Sequence, residues 1–417
     1  MQDNEKKPAL RFKGFTDPWE QRKLGDAFER VVRKNTNNES RLPLTISAQD
    51  GLVDQITYFN NRVASRDVSN YYLVYNGEFA YNKSTSDGYP FGAVKRLDWY
   101  EKGVLSTLYI VFALKHPEKD DSDFMTVFYD TDRWHRGVAE RAAEGARNHG
   151  LLNISADDFF DIDTTMPEDK VEQEKIGRLL KKLDTLITLH QRKYEKLVNI
   201  KKSMLDKMFP QNGASVPEIR FKGFTDPWEQ RKLGELSRSF EYGLNAAAKE
   251  YDGQNKYLRI TDIDDTSRQF VSADITSPDA NLAEADNYRL SDGDVLFART
   301  GASVGKTYLY KKSDGLVYFA GFLIRAKIKE SVSAGFIFQN TLTRSYERYI
   351  AITSQRSGQP GVNAQEYAEY QLMLPELFEQ EKIAKLLEAL DTLITLHQRK
   401  LEKLQNIKKS CLEKMFV

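Results

Sequence analysis

A glycine-rich loop at residues 301–307, GASVGKT, follows the apolar run DVLF and comes close to the pattern that cradles nucleotide phosphates. That pattern requires four residues between its first glycine and its GK pair, but only three separate Gly301 from Gly305. We therefore expect no nucleotide site here. A basic loop of this kind suits contact with nucleic-acid phosphates or base edges, with a solvated hairpin as the alternative. Its candidate donors are Arg299, Thr300, Ser303 and Lys306.

Other basic and amide side chains gather in comparable stretches of the chain. Arginine matches the acceptor pair of guanine, and asparagine or glutamine matches adenine, through two parallel hydrogen bonds. The alternative for each residue is an ordinary solvated surface position. The further candidates are Asn82, Lys83, Ser84, Lys95, Arg96, Arg133, Arg136, Arg147 and Asn148 in the first half, and Gln355, Arg356, Gln359 and Asn363 in the second.

Sequence marks of methyltransferase or metal-dependent catalysis are missing. The chain has no two adjacent prolines, so the Asn or Asp followed by Pro-Pro of adenine methyltransferases is absent, as are HExxH and CxxC. Its single cysteine, Cys411, can form neither an internal disulfide nor a thiolate metal cage, and we expect it to be a buried helix residue. We expect no catalytic residues, no metal site and no cofactor on this chain.

Charge is balanced overall but unevenly distributed. The chain has 61 Lys and Arg against 61 Asp and Glu, yet residues 175–209 carry ten basic residues against three acids, and residues 382–417 carry eight against four. The rest is net acidic. A nucleic-acid reader with this balance needs locally basic loops or basic partners.

An internal duplication organises the 417 residues. The fifteen letters RFKGFTDPWEQRKLG occur at 11–25 and again at 220–234. Residues 172–209 and 379–416 are identical at thirty of thirty-eight positions, whereas the segments between, 26–171 and 235–378, are barely alike. The plan is therefore constant, variable, constant, repeated once.

Each long constant segment is predicted to be a helix with a coiled-coil seam, because its apolar residues recur at spacings of three and four. The seam residues are Leu180, Leu183, Ile187, His190 and Leu197 in the first copy, and Leu387, Leu390, Ile394, His397 and Leu404 in the second. The seven-residue linker QNGASVP favours antiparallel pairing. The two histidines then lie near the midpoints, as polar residues that fix register, with a metal or pH role as the alternative. We also expect both chain ends to lie close together.

The variable segments are predicted to mix strands and helices, because β-branched and aromatic runs precede a helical stretch in each. The predicted strands include QITYF at 55–59, VLSTLYIVFAL at 104–114 and LVYFAGFLIRAKI at 316–328, and the predicted helices are residues 133–146 and 336–353. Despite low identity, GEFAYNKS at 77–84 matches GDVLFART at 293–300, and HGLLN at 149–153 matches QPGVN at 359–363. The two variable segments are therefore expected to share one fold.

With PEDKVEQEKI and PELFEQEKIA, the two TLITLHQRK helices and the repeated opening, nearly the whole chain resembles type I restriction-modification specificity subunits. The resemblance implies an α+β protein with two mixed α/β target recognition domains at opposite ends of a long antiparallel two-helix coiled coil, a pseudo-two-fold tandem repeat. The expected divisions are recognition domain 1 at 1–171, helix 1 at 172–209, a linker at 210–219, recognition domain 2 at 220–378 and helix 2 at 379–417.

The resemblance also implies a function and partners. Two unlike domains on identical frames would read a bipartite, asymmetric site in double-stranded DNA. The constant helices would dock two methyltransferase subunits, joined in the full complex by motor and nuclease subunits, with S-adenosylmethionine, ATP and Mg²⁺ only on those partners. Lacking an apolar run of about 18 residues, the chain is expected in the bacterial cytoplasm and not in a membrane. The alternative function is a symmetric protein scaffold.

Overall fold

The computed structural model describes residues 7–47, 50–142, 150–211, 213–271, 273–356 and 358–417. It is an α+β fold in which the chain divides into two compact units. Unit 1 comprises the chain up to Leu189 together with Leu401–Val417, and unit 2 comprises His190–Lys400. Each long helix contributes one part to each unit.

The elements of unit 1 alternate short strands and short helices before the first long helix, which continues into unit 2. They are β1 (Glu20–Lys23), α1 (Leu24–Ala27), β2 (Phe28–Arg30), β3 (Leu44–Ser47), β4 (Gly51–Asp54), α2 (Gln55–Phe59), β5 (Tyr72–Tyr75), β6 (Phe79–Asn82), β7 (Ala93–Arg96), β8 (Lys102–Leu105), β9 (Ile110–Leu114), α3 (Ser122–Phe128), α4 (His135–Arg141), α5 (Ala156–Phe160), β10 (Asp163–Met166) and α6 (Lys170–Met208).

The elements of unit 2 follow in nearly the same order, and its last helix ends in unit 1. They are β11 (Glu229–Lys232), α7 (Leu233–Leu236), β12 (Ser237–Tyr242), β13 (Ala247–Glu250), β14 (Lys256–Leu258), β15 (Thr276–Asp279), β16 (Val295–Ala298), β17 (Thr307–Leu309), β18 (Val317–Phe319), β19 (Leu323–Ile328), α8 (Ala334–Asn340), α9 (Arg344–Thr353), α10 (Ala364–Ala368), β20 (Gln371–Leu374) and α11 (Leu377–Lys414).

A four-stranded antiparallel sheet forms the frame of each unit, and its strand order is the same in both. The order is β2-β9-β6-β7 in unit 1 and β12-β19-β16-β17 in unit 2, and a separate two-stranded sheet pairs β1 with β10 and β11 with β20. The expectation of one shared fold is confirmed. The units differ in their outer strands, where unit 1 has the pairs β3-β4 and β5-β8 and unit 2 has one sheet, β13-β15-β14-β18.

The long helices run antiparallel inside each unit. In unit 1, Lys408 pairs with Asp184 at 2.6 Å, while Phe416 stacks on Phe124 beside the start of α6. In unit 2, Lys201 pairs with Asp391. In the repeat, Lys201 is the counterpart of Lys408 and Asp391 is the counterpart of Asp184, so the two ion pairs are equivalent. The predicted seam residues are all buried or half-buried, and Cys411 is buried as expected. The two predicted long helices are thus confirmed.

The repeated opening motif is fastened to the start of the long helix that follows it. Arg11 makes two hydrogen bonds to buried Glu172, at 2.6 and 2.7 Å, and Arg220 makes the same pair to Glu379 at 2.8 Å. Buried charges persist in proteins when they are paired in this way. The neighbouring Gln173 accepts from the amide of Asp121 and donates to a carbonyl of the chain, which satisfies both ends of its buried amide.

Four sequence predictions about local elements are wrong. QITYF at 55–59 is helix α2 and not a strand, because the Asp54 side chain caps it by accepting from the Ile56 amide at 3.0 Å. The runs at 104–114 and 316–328 are each divided between two strands, β8 and β9 in the first and β18 and β19 in the second. The helix expected at 336–353 is two helices, α8 and α9, because Thr343 begins a new helix with its own side-chain cap. Among the helices that the structure describes, none is long and apolar enough to cross a membrane.

Candidate nucleic-acid interface

In each unit, the loop that follows β6 or β16, an inner strand of the four-stranded sheet, is joined to a second loop by backbone hydrogen bonds. We call this arrangement the loop clamp. In unit 2, residues 299–301 pair with residues 360–362 through Gly301 N to Pro360 O at 3.0 Å and Val362 N to Arg299 O at 2.9 Å. In unit 1, residues 83–85 pair with residues 150–152 through Thr85 N to Gly150 O at 2.7 Å and Leu152 N to Lys83 O at 3.0 Å.

The two loop clamps match residue by residue. Ser84 bridges Leu151 in unit 1 as Thr300 bridges Gly361 in unit 2. These are the positions that the faint match of GEFAYNKS with GDVLFART and of HGLLN with QPGVN aligns. The structure therefore confirms that this match reflects a shared local structure, although few of the matched residues are identical.

Tyrosines fix the glycine loop of unit 2 to the helices beneath it. The Tyr367 hydroxyl donates to Ala298 O at 2.7 Å, and the Tyr346 hydroxyl donates to Gly305 O at 3.0 Å. A Cβ at Gly305 would lie 2.6 Å from the Ile350 side chain, and its φ of 82° favours glycine. The loop is thus held against α9 and α10, with Arg299, Thr300 and Ser303 half-buried on it.

Several predicted contacts of unit 2 lie together on or beside the loop clamp. Arg299, Thr300 and Ser303 stand on the glycine loop, and exposed Gln359 lies against Gly301. Asn363 caps α10, where its side chain accepts from the Glu366 amide at 2.9 Å.

Three other predicted contacts of unit 2 have partners within the protein. Gln355 donates to Ala351 O at 3.2 Å, and the Arg356 guanidinium is paired with Glu366 at the exposed end of α9. Lys306 is buried: its ammonium donates to Ile263 O at 3.0 Å and pairs with Asp265 at 2.5 Å. The prediction that Lys306 offers a surface donor is therefore corrected, because the backbone of the loop turns it inward.

The predicted contacts of unit 1 fall into separate groups. Lys83 and Ser84 belong to the loop clamp, and Asn82 precedes it as the last residue of β6. Lys95 and Arg96 lie on β7, and the register places Arg96 opposite Phe79, at the other end of β6 from Asn82. The structure therefore does not bring these two groups together.

Two of those basic residues are held in internal ion pairs. The Arg96 guanidinium binds Asp98 at 2.6 Å and Asp123 at 2.8 Å. Lys95 and Lys408 both bind Asp130, at 3.0 and 3.3 Å. Burial alone would raise the pKa of Asp130, but the two ammonium groups outweigh burial and lower it. These charges serve the packing of unit 1.

The remaining predicted contacts of unit 1 lie near α4. Arg133 donates to the carbonyl of Glu413 at 3.3 Å, while Arg136 is exposed and pairs with Glu140 at 2.8 Å. Arg147 and Asn148 lie outside the described residues, as does the end of the helix expected at 133–146. As DNA contacts, all these residues stay predictions.

Sequence reasoning missed exposed apolar side chains beside both loop clamps. Phe322 and Tyr242 are 56% and 45% exposed in unit 2, and Leu108 and Val32 are 66% and 58% exposed in unit 1. Asn153 is exposed at the position that matches Asn363. The sequence gives little indication that the four apolar residues are exposed, because each lies at the end of a run that resembles a strand and cannot be distinguished from it by residue type.

Comparisons with known proteins agree with this architecture. Residues 225–406 match the family described as the type I restriction modification DNA specificity domain. The chain is 22% identical over 320 residues, 74% of its own length and 72% of the relative's, to the type I restriction enzyme MjaVIII specificity subunit of Methanocaldococcus jannaschii. The crystal structure of a type I restriction-modification system S subunit from M. genitalium aligns over 99% of both chains with a TM-score of 0.60 and 14% identity, which shows a shared fold.

Proposed function

The second half of this chain belongs to the type I restriction modification DNA specificity domain family, and we propose that the whole chain is the non-catalytic specificity subunit of a type I restriction-modification enzyme. Its function is to bind double-stranded DNA at a bipartite, asymmetric site, one half-site for each unit. One observation carries this proposal: the loop clamp is the same in both units in its backbone, but differs in its side chains.

The chemistry of the two loop clamps favours unlike half-sites. Unit 1 has Lys83 and Ser84 where unit 2 has Arg299 and Thr300. A lysine places a point charge, whereas an arginine presents a planar fork that matches the two acceptors of guanine. Two loops with the same backbone but different hydrogen-bond donors are suited to reading two different DNA sequences.

The constant helices are the proposed docking surface for two methyltransferase subunits. Besides the buried seam, each long helix carries a second row of leucines at spacings of seven and three, and we call it the leucine row. Leu386, Leu393 and Leu396 are 36%, 43% and 59% exposed. Their repeat counterparts are Leu179, Leu186 and Leu189, of which Leu189 is 46% exposed. Leu179 and Leu186 are half-buried against the core of unit 1, so Leu189 is the exposed member of the first copy. Because the row has the same sequence in both copies, it suits two copies of one partner.

The same proposal places the chemistry on other chains. Methyltransferase subunits would bind S-adenosylmethionine, and motor and nuclease subunits would bind ATP and Mg²⁺ in the full complex. The assembly would act in the bacterial cytoplasm, where it meets both host and incoming DNA.

The proposal is tested by assembling the chain with its methyltransferase subunits and measuring DNA affinity across salt concentrations. We expect affinity to fall about a thousandfold between 50 and 200 mM salt, because ions are released from each neutralised phosphate. Mapping methylated adenines in a host that carries the complex should give one bipartite motif. Salt-independent binding and no methylation motif would instead favour the protein scaffold.

The docking surface is tested separately by charge substitution in the leucine row. Leu189→Glu with Leu396→Glu should abolish co-purification with the methyltransferase subunits, because a carboxylate cannot be buried in an apolar contact without a large cost. Val63→Glu, at a 66% exposed apolar site in the variable part of unit 1, is the matched control and should retain assembly. Full assembly of the leucine variant would contradict the proposed surface.

A further inference from the structure

Three side chains from separate parts of the sequence form a stack beside the loop clamp of unit 2. The Arg299 guanidinium carbon lies 5.2 Å from the centre of the Tyr242 ring and 5.9 Å from the centre of the Phe322 ring. Both distances suit attraction between a cation and an aromatic face. We call these three residues the arginine stack.

Backbone hydrogen bonds fix all three members of the arginine stack. The amide of Arg299 donates to Phe322 O at 3.0 Å, and the carbonyl of Arg299 accepts from Val362 N at 2.9 Å. The Tyr242 hydroxyl accepts from the amide of Ala364 at 3.3 Å. These bonds fix the backbone of Arg299 and Phe322 and the side chain of Tyr242 before any ligand binds, which lowers the entropy lost on binding.

The N–H groups of the Arg299 guanidinium are available to a ligand. Within the part of the chain that the structure describes, no carboxylate pairs with it and no acceptor takes its side-chain hydrogen bonds. This differs from Arg96, Arg325 and Arg356, which are all paired with acids. An arginine that is positioned by rings and left with a free fork is suited to a ligand with two adjacent acceptors.

Unit 1 has a matching but chemically different trio. Phe297 and Tyr81 occupy the same place in the two sheets, opposite Ile324 and Ile110, so Leu108 stands where Phe322 does. Tyr242 lies opposite Ile324 on the other side of β19. In unit 1, Arg30 lies opposite Phe112, and continuing this register by two residues places Val32 opposite Ile110. Val32 therefore occupies the position of Tyr242. Lys83 matches Arg299. The same three positions thus carry different residues in unit 1, where the Lys83 ammonium donates to Ile154 O at 3.3 Å.

From this, and resting on the proposed function, we infer that the arginine stack is the base-reading element of unit 2. Arg299 binds O6 and N7 of a guanine in the major groove, and Phe322 contacts the C5 methyl group of a neighbouring thymine. Guanine fits better than phosphate, because an exposed phenylalanine beside the fork would gain an apolar partner at the base edges and none along the charged backbone.

The guanine contact is tested with the complete methyltransferase complex on DNA carrying the motif mapped for it. Replacing single guanines of the unit 2 half-site by 7-deazaguanine removes N7 and keeps base pairing. At one position we expect affinity to fall about tenfold or more, the worth of one charged hydrogen bond. The Arg299→Ala complex should bind the normal and modified DNA equally, since its contact is already lost.

The methyl contact is tested in the same way with deoxyuridine in place of thymine. One substitution in the unit 2 half-site should weaken binding by the parent complex about threefold, the worth of one buried methyl group. The Phe322→Ala complex should not respond to it. Loss of the response in only the matching variant assigns each contact to its residue.

Controls distinguish this inference from simpler roles. Arg238→Ala removes an exposed arginine of the same unit that is paired with Glu330, and should keep the parental response to both modified bases. Lys83→Ala should change responses only in the unit 1 half-site. If no guanine responds to 7-deazaguanine and Arg299→Ala weakens binding equally on every sequence, Arg299 contacts phosphate and the inference is wrong. A complex that finds no motif at all would instead contradict the proposed function.

Discussion

The two histidines of the constant helices give unit 2 a titratable contact inside its helix pair. His190 Nδ1 and His397 Nδ1 lie 2.8 Å apart, with ring centres 5.0 Å apart. One nitrogen must donate and the other accept, so the contact requires a neutral acceptor ring. Burial, followed by the positive charges of Lys400, His397 and Lys193, lowers the pKa of His190.

A lowered histidine pKa means that the unfolded chain binds this proton more tightly than the folded chain. The stabilisation is therefore fully present above the unfolded value of about 6.5 and is lost as the pH falls through the folded value. We expect the free energy of unfolding of unit 2 to decrease from pH 7 to pH 5 in urea titrations. His190→Asn, which keeps a hydrogen bond but cannot titrate, should reduce that decrease.

The matched control is His116→Asn, at an exposed histidine of unit 1 that contacts Glu118. It should leave the pH dependence of unit 2 as in the parent. An unchanged slope in His190→Asn would mean that other groups set the acid sensitivity of this unit, and that the pair only fixes register.

At the scale of elements, the end of each long helix closes an aromatic core. Phe416, just after α11, lies edge-on to Trp19 at 6.2 Å and stacks on Phe124 at 5.5 Å in unit 1. Phe209, just after α6, meets Trp228 at 6.2 Å and Phe336 at 5.3 Å in unit 2. Both phenylalanines are almost completely buried, so each unit depends on the helix end that reaches it.

Truncating one helix end should therefore destabilise one unit. Phe416→Ala should lower the unfolding free energy of unit 1 by about 3 to 5 kcal/mol, and Phe209→Ala that of unit 2 similarly, because each deletes a buried ring. Phe378→Ala, at a 59% exposed phenylalanine of α11, should change stability by less than about 0.5 kcal/mol. Thermal unfolding would contradict this core if Phe416→Ala behaved like Phe378→Ala.

How far sequence predicts these elements depends on how local their causes are. The long helices follow from a periodicity that lies within the segment, and their ends follow from the repeat. Helix α2 was missed because a single side chain, Asp54, outweighs the strand preference of QITYF. The arginine stack was missed because Tyr242, Arg299 and Phe322 are brought together by strand register, which no local pattern encodes.

For the molecule as a whole, equivalent backbone contacts hold the helix ends in the two units. In unit 2, Lys207 O accepts from Ile219 N at 2.9 Å, and a short continuous segment of the chain links these two residues. Lys414 O accepts from Leu10 N at 2.8 Å in unit 1, where no peptide joins them. The expectation that the last helix ends beside the opening motif is confirmed for the described residues.

The match predicts that the chain can be circularly permuted without an added linker. Joining Val417 to Met1 leaves twelve residues between Lys414 and Leu10, against eleven between Lys207 and Ile219. New ends can be opened between Gly213 and Ala214, which are both exposed. We expect this permutant to unfold at nearly the parental temperature and to direct methylation to the parental motif.

Opening the chain between Leu180 and Lys181 should instead prevent folding, since it cuts α6 beside a fully buried leucine. A Gly213–Ala214 permutant that failed like this control would show that the order of the repeats, and not only their contacts, determines the fold.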